Sequence, residues 1–138
     1  MSNSNKEIAL QILNENSIGV MATNNNGVPN SRYMTFHYVE SKLYTVAKED
    51  SDVVREITEY AGTHILLGYE DKEDKGVLET FLEIEGNAAT TLNDVVKKQL
   101  LEKYSAHEHG NFVLIQVTPT RMRIMNKNGK NQEEVHLY

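Results

Sequence analysis

Arg32, Met34 and Thr35 lie close together in the run VPNSRYMTFHYV, and Thr45, Val46 and Ala47 close the run LYTVA a short way downstream. The loop Lys48-Glu49-Asp50-Ser51 follows at once. The spacing of Val53, Val54, Ile57 and Tyr60 then predicts a helix over 52–61, with Ser51 as its N-cap and Gly62 as its closing residue. Two adjacent strands that end at a helix mouth make a shelf. The guanidinium of Arg32 is suited to clamp a carboxylate or phosphate through paired N–H groups. The open N–H groups of a first helical turn, here from Ser51 and Asp52 onward, attract the same kind of anion. The ordinary reading of these residues stays open: Arg32 as a solvated strand residue, Ser51 as a simple cap.

Other chemistries lack their residues. The chain has no cysteine, which removes thiol nucleophiles, disulfides, Cys-ligated zinc and iron–sulfur clusters together. It has no GxSxG elbow, no phosphate loop of the form GxxxxGK[ST], no HExxH, and no GxGxxG after a strand. His107 and His109 are ligand types, but with no third ligand in view they read as a surface pair, so no metal is expected. His37 and His64 sit in strand patterns and read as packed or hydrogen-bonded. The charged run from Glu70 to Asp74 reads as a solvated loop. No side chain stands out as a catalytic acid or base.

The elements that must position the shelf follow from periodicity. Ile8, Ile12 and Leu13 predict a helix over 3–16, with Ser4 and Glu7 placed as a capping box. Residues 17–24 read as a strand, Asn24 to Gly27 as a tight turn, and 28–39 as the return strand. Alternation puts Arg32, Met34, Phe36 and Tyr38 on one face of it and Tyr33, Thr35, His37 and Val39 on the other. Strands are expected over 43–47, 64–69 and 80–89, the last with Leu82, Ile84, Gly86 and Ala88 inward. A helix beginning at a Thr91–Asp94 capping box runs to about Tyr104 and carries Val95, Val96, Leu100 and Tyr104. The run FVLIQV opens a final strand that kinks at Thr118-Pro119-Thr120 and continues to Met125, and residues 134–137 offer a short addition. The pattern is mainly β with flanking helices, a six-stranded antiparallel sheet rolled into a closed or partly closed barrel.

At 138 residues the chain holds one domain, 1–138, with a polar tail over 126–138. Fourteen basic residues against 20 acidic ones give a net charge of −6, which argues against nucleic acid and against an anionic membrane surface as partners. No apolar run is long enough for a membrane helix, and the polar start shows no signal peptide, so a cytoplasmic protein is expected. Apolar residues on both faces of Phe112–Val117 exceed what one small core absorbs, which points to a homodimer.

The run IGVMATNNNGVPNSRYMTFHYVESKLYTVAKEDSDVVREI resembles the opening of pyridoxamine 5′-phosphate oxidase-like proteins, and within them the bacterial general stress protein branch. The elements that carry the resemblance are Ala22-Thr23, Asn26-Gly27, Pro29, Arg32-Tyr33-Met34, Thr45 and Ser51 in that order. The later ETFLEIEGNAATT and FVLIQVTPTRMRIM are similar to the family's following strands, so the likeness covers about Lys6 to Met125. It implies a split β-barrel that binds FMN at a homodimer interface, and an oxidoreductase role in which the flavin carries the chemistry. Arg32, Met34 and Thr35 would line the flavin from one strand, and Thr45, Val46 and Ala47 from the next. Lys48, Ser51 and Asp52, with the helix start, would hold the phosphate. One feature departs from the family pattern: Glu49, Asp50 and Asp52 crowd the phosphate position, where relatives carry basic residues after the loop serine. FAD, an empty site, and a non-enzymatic flavin-binding or stress-related interaction module therefore stay open as alternatives.

Overall fold

The computed structural model describes residues 5–15, 17–68, 80–103, 111–125 and 133–136. It opens with helix α1 (Asn5–Glu15), whose Ala9, Ile12 and Leu13 are buried at helical spacing. Strands β1 (Ile18–Asn25) and β2 (Val28–Thr35) form a hairpin in register from Ile18↔Thr35 to Asn25↔Val28. Its two-residue turn needs positive φ twice, and Asn26 (φ 53) and Gly27 (φ 90) supply it. Then come β3 (His37–Val39), β4 (Lys42–Lys48), helix α2 (Asp52–Glu59), β5 (Gly62–Leu67), β6 (Phe81–Thr91), helix α3 (Asp94–Lys103), β7 (Phe112–Met125) and β8 (Glu133–Val135).

The eight strands form one antiparallel sheet in the order β2-β1-β5-β6-β7-β4-β3, with β8 added on β7. The two ends of that path, β2 and β3, are separated in sequence by Phe36 alone. A sheet whose opposite edges are joined by one residue has to curl on itself. Phe36 makes the joint: its ring is buried and its N–H donates to the Ser17 carbonyl. β2 and β4 then touch without being hydrogen-bonded neighbours, and this seam is the split of the barrel. The expected mainly-β split barrel stands. Its strand count rises from six to eight because the strand expected over 28–39 breaks at Phe36 and the tail contributes β8. The seam also corrects the expected shelf, since β2, which carries Arg32, and β4, which carries Thr45, meet across the split and not across a ladder.

One hydrophobic core fills the barrel, with Met21, Phe36, Leu43, Ile65, Leu82, Ile84, Ile115, Val117 and Ile124 inside it. α1 and α2 add Ile12, Leu13, Val53 and Ile57 to the same cluster. A second cluster lies on the outer face of β4, where Tyr44, Val46 and Leu114 meet Val96, Leu100 and Leu101 of α3. That helix covers the second apolar face of 112–117, so this feature no longer argues for a partner subunit.

Several local expectations shift. Gly62 opens β5 opposite Asn87 and does not close α2, which ends at Glu59 with Tyr60 as its C-cap. The cap of α3 is Asn93, whose Oδ1 accepts from the Val96 N–H at 3.2 Å, so Thr91 belongs to β6. Val95 on α3 is exposed. Ser51 sits at the N-cap of α2, but its hydroxyl donates to the Lys48 carbonyl at 2.6 Å and caps nothing. The expected kink near Pro119 appears as a register shift against Glu85 and Gly86. A Cβ on Gly86 would lie 2.7 Å from the Thr118 carbonyl oxygen, so only glycine allows the strands this close. The Ser4 cap, the loop over 70–76 and the pair His107 and His109 lie outside the described residues.

Candidate functional site

Helix α2 carries Val53, Glu56 and Ile57 on one face, and all three are buried. Packing that face into the barrel drags a carboxylate in with it, because positions three and four apart share a side of a helix. Glu56 is 1% exposed. A charge so placed needs partners, and the inward residues of β1 and β2 provide them. Its Oε1 accepts from the Thr23 hydroxyl at 2.6 Å and from Arg32 Nη2 at 3.2 Å. Its Oε2 accepts from Asn30 Nδ2 at 3.1 Å and from Arg55 Nη2 at 3.4 Å. Arg32 Nη1 closes the ring by donating to Thr23 Oγ1 at 2.6 Å. The Thr23 hydroxyl bond holds the Glu56 carboxyl below its usual range; burial opposes this, and Asn30 and Arg32 reinforce it. Glu56 is therefore an anion at neutral pH.

The nine residues expected at the site divide into four groups. Arg32 and Met34 face into the barrel from β2 and are half-buried, and Thr35 ends the same strand. Thr45 and Ala47 face the interior from β4, both buried, across the seam from β2. Val46 alternates to the outer face and packs under α3, away from the rest. Lys48 and Asp52 are exposed and Ser51 is half-buried, at the mouth between β4 and α2. The mouth is held by Glu49 N–H to the Asn111 carbonyl at 2.7 Å and Ser51 N–H to the Lys48 carbonyl at 3.0 Å. Asp52 meets Arg55 at 3.4 Å.

Set against a flavin, this arrangement fits at one end only. The Thr45 hydroxyl is fully buried and has no hydrogen-bond partner among the described residues. An orphaned buried hydroxyl on the strand across the split from β2 offers a hydrogen bond to a ligand with polar edges. The phosphate end does not match. Arg32, the guanidinium suited to an anion, is bonded to Glu56 and Thr23, and the residues that the resemblance gives to the phosphate, Lys48, Ser51 and Asp52, stand with Glu49 and Asp50.

Glu56 was missing from the sequence reading, although its spacing from Val53 and Tyr60 placed it on the apolar stripe. A second missed feature is a cleft of about 470 Å³, lined by Thr23, Asn24, Pro29, Thr63, His64 and Glu85 among others, which contains none of the nine residues. On its rim the donor atoms of His64, Glu83 and Glu85 lie within 4.8 Å of one another. Arg123 pairs with Glu83, and Arg121 lies 3.5 Å from Glu85, so this trio is part of an ion-pair ladder on the outer face. Among the described residues no helix is long and apolar enough to cross a membrane.

Comparison with known proteins follows the same outline. Residues 6–126 match the family model for pyridoxamine 5′-phosphate oxidase. General stress protein 26 of Bacillus subtilis (strain 168) is 29% identical over 137 residues, 96% of each chain. The crystal structure of General Stress Protein 26 from Bacillus anthracis str. Sterne superposes with a TM-score of 0.78 at 25% identity, covering 96% of this chain and 98% of that one. An FAD-binding protein from Mesorhizobium loti shares the fold at 13% identity, with a TM-score of 0.68 over 87% of this chain and 92% of that one. With the matched region spanning nearly its whole length, and with the curled antiparallel sheet and flanking helices in place, this chain belongs to the pyridoxamine 5′-phosphate oxidase family.

Proposed function

We propose that this chain is a flavin-binding member of its family with an oxidoreductase role, and that the ring lies in the seam between β2 and β4. The observation that carries this reading is the Thr45 hydroxyl, buried without a partner on the strand where the family resemblance puts the ring. FMN is the form that the resemblance implies, and riboflavin and FAD share its ring. When bound, the flavin supplies the redox chemistry. The chain's own part is to orient the ring with Met34, Thr35, Thr45 and Ala47 and to keep water from one face of it. A cytoplasmic setting goes with this reading, since the chain offers an oxidising compartment no cysteine to cross-link.

The site is proposed to belong to a homodimer. Tyr33, Val20 and Leu66 form one cross-strand row on the outer face of β2, β1 and β5, with Ile18 beside them. Tyr33 is 77% exposed and Ile18 62%, a contiguous apolar face for a monomer to leave in water. The row continues into Glu83, Arg123 and Glu134.

Titration of the purified protein with FMN and with riboflavin, followed by quenching of flavin fluorescence, tests the binding. Saturable quenching with either supports it, and none with both refutes it. Faster reduction of the bound flavin by NADH or NADPH than of free flavin supports the oxidoreductase role. A second reading, a flavin carrier without catalysis, is favoured by the Arg32–Glu56 pair and predicts binding with no such acceleration.

A further inference from the structure

We infer that the site selects its flavin against the phosphate, so that riboflavin binds more tightly than FMN or FAD. This rests on the flavin reading above and adds to it the chemical form of the ligand.

Among the described residues, β2, the mouth and α2 carry the cations Arg32, Lys48 and Arg55. Arg32 donates to Glu56 at 3.2 Å and to Thr23 at 2.6 Å, and its side chain is only 22% exposed. Its charge is cancelled by a carboxylate that cannot reach water to be screened. Arg55 lies between Asp52 and Glu56, at 3.4 Å from each. Lys48 stands in a loop with Glu49 and Asp50. Four carboxylates thus face three cations, and a dianionic phosphate would arrive as a further excess of the same sign.

Helix α2 does not reverse this balance. Its first turn has N–H groups that Ser51 leaves uncapped, but Asp52 occupies that turn and already satisfies the favourable end of the dipole. The ring half of the ligand meets fewer of these charges: Met34, Thr35, Thr45 and Ala47 are uncharged, and the charge of Arg32 beside them is paired with Glu56. Two like charges a few ångström apart in water-like surroundings weaken binding by roughly fivefold per pair, so a dianion loses about tenfold or more. A flavin lacking the phosphate keeps the ring contacts and escapes the repulsion.

The test is a pair of titrations, riboflavin and FMN, at low salt and again in about 0.5 M salt. Riboflavin should bind at least about tenfold more tightly at low salt, and the gap should narrow as salt screens the mouth. Glu56→Gln should free the charge of Arg32 and raise FMN affinity about tenfold relative to riboflavin. Because that variant alters a buried network, the exposed pair Glu49→Gln with Asp50→Asn serves as a second test and should raise FMN affinity severalfold with riboflavin unmoved. Equal affinities, tighter FMN, or a ratio that neither salt nor the surface pair shifts would overturn the inference while leaving the flavin reading standing. Absence of binding by both compounds would bring down both.

Discussion

Removing Arg32 should cost the fold more than it costs the ligand. In Arg32→Ala the Glu56 carboxylate, 1% exposed, loses its main cation and keeps only Thr23, Asn30 and Arg55. Breaking one side of a fully buried pair destabilises by about 3–5 kcal/mol. Arg32 retains some contact with water, so the figure is discounted to about 2–4 kcal/mol at pH 7. For a chain of this size that is a fall in Tm of about 6–12 °C. The pH dependence carries the sharper signature. Glu56 has its carboxyl lowered in the folded state, so the native protein binds fewer protons than the unfolded chain. That stability is fully present above the unfolded carboxyl value, about 4.3, and drains away as pH falls through it toward the folded value. Without Arg32 the lowering is weaker, so the variant has less to lose. Thermal unfolding followed by circular dichroism from pH 7 to pH 3 should show the gap between the two proteins closing. Parallel curves, or a variant as stable as the parent at pH 7, would refute the network as drawn.

Three further outcomes follow from the same packing. Thr45→Val replaces an orphaned buried hydroxyl with a methyl and should stabilise the ligand-free protein by about 1 kcal/mol. If the ring uses that hydroxyl, the same change weakens riboflavin binding severalfold, so calorimetry and titration should move in opposite directions. Leu100→Ala opens a cavity between α3 and β4 and should cost about 2–5 kcal/mol in denaturant melts with flavin affinity unchanged, since α3 packs on the face away from the seam. Tyr33→Glu together with Leu66→Glu places charge on the exposed apolar row and should turn a dimer into a monomer in sedimentation, with little change in Tm beyond that lost with the partner.

The features legible in the sequence were those written in local chemistry. Asn26-Gly27 fixes the first hairpin because few other residue pairs accept positive φ twice, and alternation assigned the inward set Leu82, Ile84, Gly86 and Ala88 without error. Arg32 and Met34 were placed on one face of their strand for the same reason. The larger misses involve long-range closure, beside local ones such as the Ser51 cap and the placing of Gly62. Phe36 sits in an unbroken alternating run, so nothing nearby signals that the chain changes edges there; only the curl of the sheet requires it. The apolar surplus on 112–117 looked like a dimer face because the partner that covers it, α3, lies in a separate part of the chain. Glu56 was passed over because an acidic residue in a helix is solvated far more often than buried.

The role of Glu56 follows from the way the barrel closes. With β2 at one end of the sheet path, its inward side chains face the seam and α2 in place of a neighbouring ladder. Asn30 and Arg32 are polar, and Thr23 stands beside them on β1, so that end of the barrel cannot be packed with hydrocarbon alone. A carboxylate lowered from α2 satisfies three donors at once, from Thr23, Asn30 and Arg32. The arrangement ties β1, β2 and α2 together where the sheet has no hydrogen-bonded closure. It also commits the guanidinium: an arginine that holds the seam shut through Glu56 cannot offer the same N–H groups to a phosphate without releasing a buried anion.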